Sequence, residues 1–545
     1  MGFLDPVAPP YDPLEWAKKP FAEKSRMVCR SWALQGYGTP LGVYALYAIK
    51  LVLYALGWAF FCGFTPGMEL RSIRVWWLEP IAFQKAIVWS LLFEVLGLGC
   101  GSGPLTGRYF PPLGGFLYFL RPGTTKLPFC PGLPLLGGSR RTLFDVLLYA
   151  ACLGCLLRAL LAPAIVPGHL IPIVALVGIL GIADKTIFLC ARAEHYWTTA
   201  MVFVLASDWI PGAKAVQAAL WFWAGFSKLN RHFPAVVCVM TSNSPFMRFE
   251  WLRKWMYRGY PDDLSPSRLA VIAHGGTALE FAVPILLLAG DGGTVTTAGL
   301  VLMLLLHGYI TSNVPMGVPI EWNAMMVYGA FFLFSKHAGA SLLGLDLPTS
   351  AFLAVMLLVI PLLGNLLPSR VSFLMAMRYY AGNWAHSIWL FKGESYRKLD
   401  RLTKSSAWIV DQLGILYDRK TSIGIVGKVM GFRLMHLHGR ALPLLVPKAV
   451  DCVEDYEWVD GEIIAGLVLG WNFGEGHLHR EQLLRTVQEQ CGFEEGELRC
   501  IFVESQPMGR STLHYRIADA KSGLREQGHV EVSDLLKRQP WLESA

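Results

Sequence analysis

Lys228 closes an apolar stretch, WFWAGFSKLN (221–230). An amine desolvated among Trp221, Trp223 and Phe226 suits base chemistry, because loss of water favours its neutral form. The plainer reading is a lysine in a last helical turn that favours the dipole and reaches the headgroups. Other ionisable residues also fall in apolar runs: Asp184, Lys185, Glu194 and His195 in ILGIADKTIFLCARAEHYW, Glu280 after His274 in AHGGTALEFAVP, and His307 before Thr311, Ser312 and Asn313. Charge at bilayer depth is costly and demands a partner, a water cavity or a function. Asp184 and His195, eleven residues apart, fall on nearly one helical face and are expected to line one cavity. The candidates for catalysis are Lys228, His195 and His307. Asp184, Glu194, Trp223, His274, Glu280 and Asn313 are the candidates for substrate contact. Against each stands a structural alternative: a buried ion pair, an aromatic-belt histidine, a helix-packing motif or a satisfied core histidine.

Two HxH pairs occur late in the chain, His436 with His438 and His477 with His479, and Glu475 lies beside the second. On strands each pair would face one side and chelate zinc, copper or iron. Neither pair has obvious further ligands nearby, and GHLHREQLLRTVQEQCGF also reads as a helix start that would point its histidines apart. A metal is therefore the lesser expectation here.

The elements that must position these residues follow from composition. The chain is 54% hydrophobic and 16% charged, more apolar than a soluble protein of its length can bury. The expected fold is an α-helical polytopic membrane protein of eight to ten spans with a C-terminal soluble α+β domain. Residues 1–40 form an amphipathic segment lying on the membrane, broken at Pro20, with Trp16, Phe21, Met27 and Trp32 among lysines and arginines. Residues 41–370 form the transmembrane domain, with spans near 41–64, 80–100, 143–163, 168–190, 268–290, 294–315, 324–345 and 350–368. Between 196 and 228, SDWIPG breaks a helical hairpin. The Pro- and Gly-rich segment 108–138 reads as a membrane-lying loop that shapes an entrance or as a packed surface loop. Residues 385–545 are the soluble domain, in which LRCIFVES and STLHYRIAD read as strands.

Net charge is +8, and the basic clusters EWAKKPFAEKSRMVCR and RFEWLRKWMYR sit beside aromatics, which points to anionic headgroups and not to nucleic acid. Lysine and arginine are dense before the first span, between 227 and 268, and after 370, which puts both termini in the cytoplasm; the resemblance to bacterial families given below implies a bacterial cytoplasmic (inner) membrane. The 11 cysteines lie mostly inside apolar spans, and the CxxC at Cys152 and Cys155 has no second CxxC to pair with as a ligand set. The glycines of GCGSGPLTG (99–107) follow a membrane span and not a strand, so no nucleotide fingerprint is present.

Four motifs in order, EHYW (194–197), AGFSKL (224–229), AHGGTALEF (273–281) and LHGYITSNV (306–314), resemble the transmembrane region of vitamin K-dependent gamma-carboxylase and its bacterial relatives, the HTTM superfamily, over about residues 165–345. The rest of the chain resembles an uncharacterised bacterial transmembrane family. The resemblance implies that Lys228 is a base acting on a quinone or hydroquinone with O2, and that His195 and His307 share its site. Ser227 stands where the family has a first lysine, Glu194 where it has asparagine, and Phe233 where it usually has tryptophan. No counterpart of the peptide-binding domain is present, so the expected substrate is a quinone or another lipid-like molecule taken from the bilayer. Two rival readings remain: a non-catalytic lipid-binding or transport protein, against which the lack of inverted repeats counts, and a metal-dependent membrane oxidase resting on the HxH pairs.

Overall fold

Prolines, glycines and buried charges divide the apolar half of the chain into helices of unequal length. The structure is a computed structural model that describes residues 3–99, 115–244, 246–247, 249–313 and 319–541. Among these, five helices are long and apolar enough to cross a membrane: Leu41–Cys62, Leu143–Leu161, Arg268–Ala289, Thr294–Ser312 and Leu347–Leu366. Eight to ten spans were expected, and five of the expected ones meet this standard. The other expected spans are helical but shorter: Pro80–Val95, Pro167–Ala183 and Ile320–Ala330. Pro167–Ala183, with 17 residues, reaches only about 25 Å. It stops at Asp184, whose backbone is extended and whose carboxylate caps the next short helix, Lys185–Cys190. The hairpin break falls where SDWIPG predicts it, between Thr198–Leu205 and Ile210–Ser227.

Pro20 breaks the N-terminal segment as expected, and Phe21–Gln35 follows it. The apolar face of that helix is covered by protein. Trp32 is fully buried, lies 5.4 Å ring to ring from Phe432 of the Arg419–Met435 helix, and donates its indole N–H to the Val239 carbonyl. Trp16 and Phe21 are buried as well. The amphipathic pattern is real, but in the folded chain it docks on the C-terminal part.

That part holds a five-stranded antiparallel sheet in the order β4-β3-β5-β6-β7. A short hairpin, β1 (Tyr257–Gly259) with β2 (Asp263–Pro266), precedes it. The sheet strands are β3 (His386–Lys392), β4 (Tyr456–Asp460), β5 (Leu498–Val503), β6 (Thr512–Asp519) and β7 (Gly523–Glu531). β5 and β6 are the two strands legible in the sequence, paired with Ile501 opposite Ile517. Buried Arg433 ties the Arg419–Met435 helix to the end of β4, reaching Asp460 at 2.5 Å and Glu462 at 2.8 Å. Residues 108–114 of the proposed entrance loop and 100–107 of the glycine-rich stretch lie outside the described residues.

Candidate functional site

Lys228 is the C-cap of the Ile210–Ser227 helix, a position that ordinarily points to water. Here its side chain is 7% exposed and forms an ion pair with Glu280, 2% exposed. Gly225 eases the approach: a Cβ there would stand 3.1 Å from the Glu280 Cβ, tight enough that the Gly276–Ala289 helix would have to give by a few tenths of an ångström. The Phe233 ring lies 5.2 Å from Nζ, and half-buried His274 packs edge-on against Phe233 at 4.9 Å. Phe233 thus occupies the aromatic place beside the lysine. Oε2 of Glu280 has no hydrogen-bond partner among the described residues. Ser227, one residue before, donates to Asn365 at 2.6 Å. Asn230, just after, donates to the Gln506 carbonyl at 3.2 Å, so the lysine end of the helix faces the C-terminal sheet.

His307, held by Trp221 of the same helix that ends at Lys228, has both nitrogens engaged. The Trp221 indole donates to Nε2 at 2.9 Å, which makes Nε2 the acceptor; Nδ1–H then donates to Asn323 Oδ1 at 2.8 Å. Asn323 is fixed in turn by its donation to the Pro319 carbonyl at 2.9 Å. The geometry therefore makes His307 a positioning group and leaves it no free nitrogen for proton transfer. Trp322 stands between His307 and His195, with ring centroids 6.2 Å and 6.1 Å away. His195 stacks on Tyr196 at 4.5 Å, and its Nδ1 has no hydrogen-bond partner among the described residues.

His195 sits in a wide helical turn, Ala193–Trp197, opened by Arg192 in the left-handed region (φ 50°), a costly conformation for a non-glycine residue. Surrounding contacts hold it there. The Arg192 guanidinium lies over Tyr379 at 4.4 Å, Trp322 at 5.2 Å and Phe473 at 5.4 Å, and Nε bonds Glu194 at 2.6 Å. This turn and the break at Asp184 remove the single helical face on which Asp184 and His195 were expected to meet. Asp184 is instead ion-paired with Arg141, and Lys185 donates to Gln482 at 2.5 Å. Glu194 is the counter-ion of Arg192, Trp223 donates to the Leu357 carbonyl at 2.7 Å, and Asn313 donates to the Tyr309 carbonyl at 2.8 Å. Of the candidates for substrate contact, Glu280 and His274 therefore lie at Lys228; Asp184, Glu194 and Trp223 hold the helices around it. Asn323, Trp322 and Arg192 are members of the site that sequence reasoning missed. AEHYW offered no hint of Arg192, since a left-handed arginine has no local signature.

The HxH pairs do not join each other. His477 faces Glu475 at 3.4 Å, and His479 Nδ1 shares a proton with the Ser387 hydroxyl at 2.7 Å. His436 and His438 meet two histidines that sequence reasoning did not connect to them. His386 of β3 lies 5.8 Å from His436 and 5.7 Å from His438, and His232 stacks on His438 at 5.6 Å. Nδ1 of His436 and of His438 each faces a backbone carbonyl, of Phe432 and Trp384. Burial holds both imidazoles far below the usual range, at about 3, and pushes His386 well down too. No set of three or more His, Cys, Asp or Glu side chains is arranged to hold a metal ion among the described residues. The lesser expectation, a metal chelated by either HxH pair, therefore finds no ligand set of that size among the described residues.

A family model described as a transmembrane protein of unknown function, DUF3556, matches residues 1–545. No curated protein and no solved structure matches the chain.

Proposed function

We propose, for a chain that belongs to the DUF3556 family of transmembrane proteins, that it is a membrane-embedded enzyme acting on a quinone or other lipid-like substrate by proton abstraction at Lys228. The observation that carries this reading is the desolvated Lys228–Glu280 pair, with one carboxylate oxygen unpartnered among the described residues. Such a pair takes one proton from a substrate hydroxyl. In the ionic form Glu280 accepts it; in the neutral tautomer the amine does. Both routes end with one additional proton on the pair and the new substrate anion beside the Lys228 ammonium. His274 and Phe233 flank that point, and His307, fixed by Trp221 and Asn323, orients the substrate ring. The motif resemblance supports an oxygen-dependent continuation, in which the substrate anion reacts with O2. The resemblance to a bacterial transmembrane family supports a bacterial cytoplasmic membrane, and the distribution of lysine and arginine supports the C-terminal sheet on its cytoplasmic side.

The test is mass spectrometry of small molecules that co-purify with wild type and Lys228→Ala in native-lipid nanodiscs. A quinone or lipid enriched in both, with a chemically altered form in wild type alone, is the expected outcome. Bulk phospholipid in equal proportions in both would refute the enzyme reading and leave the pair as a structural tie between helices.

A further inference from the structure

A cavity of about 760 Å³ opens where the Pro167–Ala183 helix and the Leu347–Leu366 span end, away from Lys228. Gly178, Gly181, Phe188 and Ile360 make one wall apolar. The other end is formed by the chain just beyond the span and by the start of the Glu481–Cys491 helix, and it carries Lys185, Arg370, Arg480 and Arg485. Glu481 is the one acid among the lining residues, and it is ion-paired with Arg516. Arg480 is held by the Ser369 carbonyl at 3.2 Å and Glu504 at 3.3 Å. Arg370 and Arg485 are exposed, and neither guanidinium has an ion-pair partner among the described residues. Nothing stands within 4 Å of the place a Cβ would take on Gly178, so the apolar wall has an open slot. On the same helix Ile171, Ile179 and Ile182 are exposed, and the wall runs on into an apolar outer surface.

We propose that this cavity binds an anionic phospholipid of the surrounding bilayer, its phosphate between Arg370 and Arg485 and one acyl chain along Gly178 and Phe188. Cationic side chains at the end of apolar helices match a phosphate at headgroup depth. The apolar wall leading from them to the lipid-facing surface is what a soluble anion would not need. The bound lipid ties the end of the span to the sheet domain, and the assignment is independent of any chemistry at Lys228.

The experiment is native mass spectrometry of the delipidated full-length protein titrated with phosphatidylglycerol and with phosphatidylcholine of the same chains. Wild type is expected to retain phosphatidylglycerol preferentially. The double variant Arg370→Gln/Arg485→Gln is expected to lose that lipid by roughly thirtyfold, at about one surface-charge contribution per arginine, with phosphatidylcholine unchanged. Arg370→Lys/Arg485→Lys keeps the charge and should keep the preference. Gly178→Leu puts a side chain into the open slot and should weaken both lipids. Equal retention of the two lipids by wild type, or an unaltered preference in the Gln variant, overturns the proposal. So does displacement by inorganic phosphate together with normal lipid binding by Gly178→Leu, which would make the site one for a soluble anion.

Discussion

Removing one member of the Lys228–Glu280 pair should cost stability with opposite pH dependence for the two members. Both side chains are almost fully enclosed, at 7% and 2% exposure, and a lone buried charge typically costs about 3–5 kcal/mol. The cost has a ceiling, because the survivor can neutralise itself. With ordinary values of about 4.3 for Glu and 10.4 for Lys, and about 1.36 kcal/mol per pH unit, protonating a lone Glu280 at pH 7 costs at most about 3.7 kcal/mol, and deprotonating a lone Lys228 at most about 4.6 kcal/mol. Lys228→Met should therefore grow milder as pH falls from 8 to 6, by about 1.4 kcal/mol per unit, whereas Glu280→Gln should grow milder as pH rises. Lys228→Met/Glu280→Gln removes both charges and should return to within about 1 kcal/mol of wild type. The assay is unfolding in mixed detergent micelles followed by tryptophan fluorescence at three pH values. Single variants that cost less than about 1 kcal/mol, or that share one pH trend, would refute a desolvated ion pair here. A stable double variant without turnover would then separate the chemistry of the pair from its structural part.

Acid should loosen the C-terminal sheet first. His436 and His438 titrate at about 3 when folded, against about 6.5 unfolded, so below about pH 6.5 the unfolded state binds more protons. Their stabilisation is complete above that pH and falls by about 1.4 kcal/mol per unit for each as pH drops toward 3; His436→Gln/His438→Gln should flatten this slope in a denaturant series. Arg433→Met strands the buried carboxylates of Asp460 and Glu462 and should cost about 3–5 kcal/mol, read as an earlier loss of sheet circular dichroism. Asn323→Leu leaves Nδ1–H of His307 without its acceptor and should cost about 1–3 kcal/mol in the micelle unfolding assay.

What was legible in the sequence is what local chemistry dictates. Pro20 and SDWIPG mark real helix breaks, and the alternation of TLHYRIAD marks a real strand. Lys228, Glu280, His274 and His307 were singled out because charge in an apolar run needs a reason, and the fold gathers them. What stayed hidden depends on distant partners. Asp184 looked like the middle of a helix until Arg141, 43 residues away, claimed it. His386 lies in HSIWLFK, a buried strand with no polar alternation, and its meeting with His436 and His438 is set by the docking of the Arg419–Met435 helix against the sheet. Helix length misled the span count because apolar composition does not report a left-handed Arg192 or an extended Asp184.

The contact between Trp32 and Phe432 also sets a parity. A chain whose helix Phe21–Gln35 packs on the helix Arg419–Met435 begins and ends its membrane passage on one face, so it must cross the bilayer an even number of times. The five long apolar helices among the described residues make an odd number. Either an odd number of the shorter helices Pro80–Val95, Pro167–Ala183 and Ile320–Ala330 also cross, with the bilayer thinned to about 25 Å where Pro167–Ala183 does so, or one of the five turns back within the membrane.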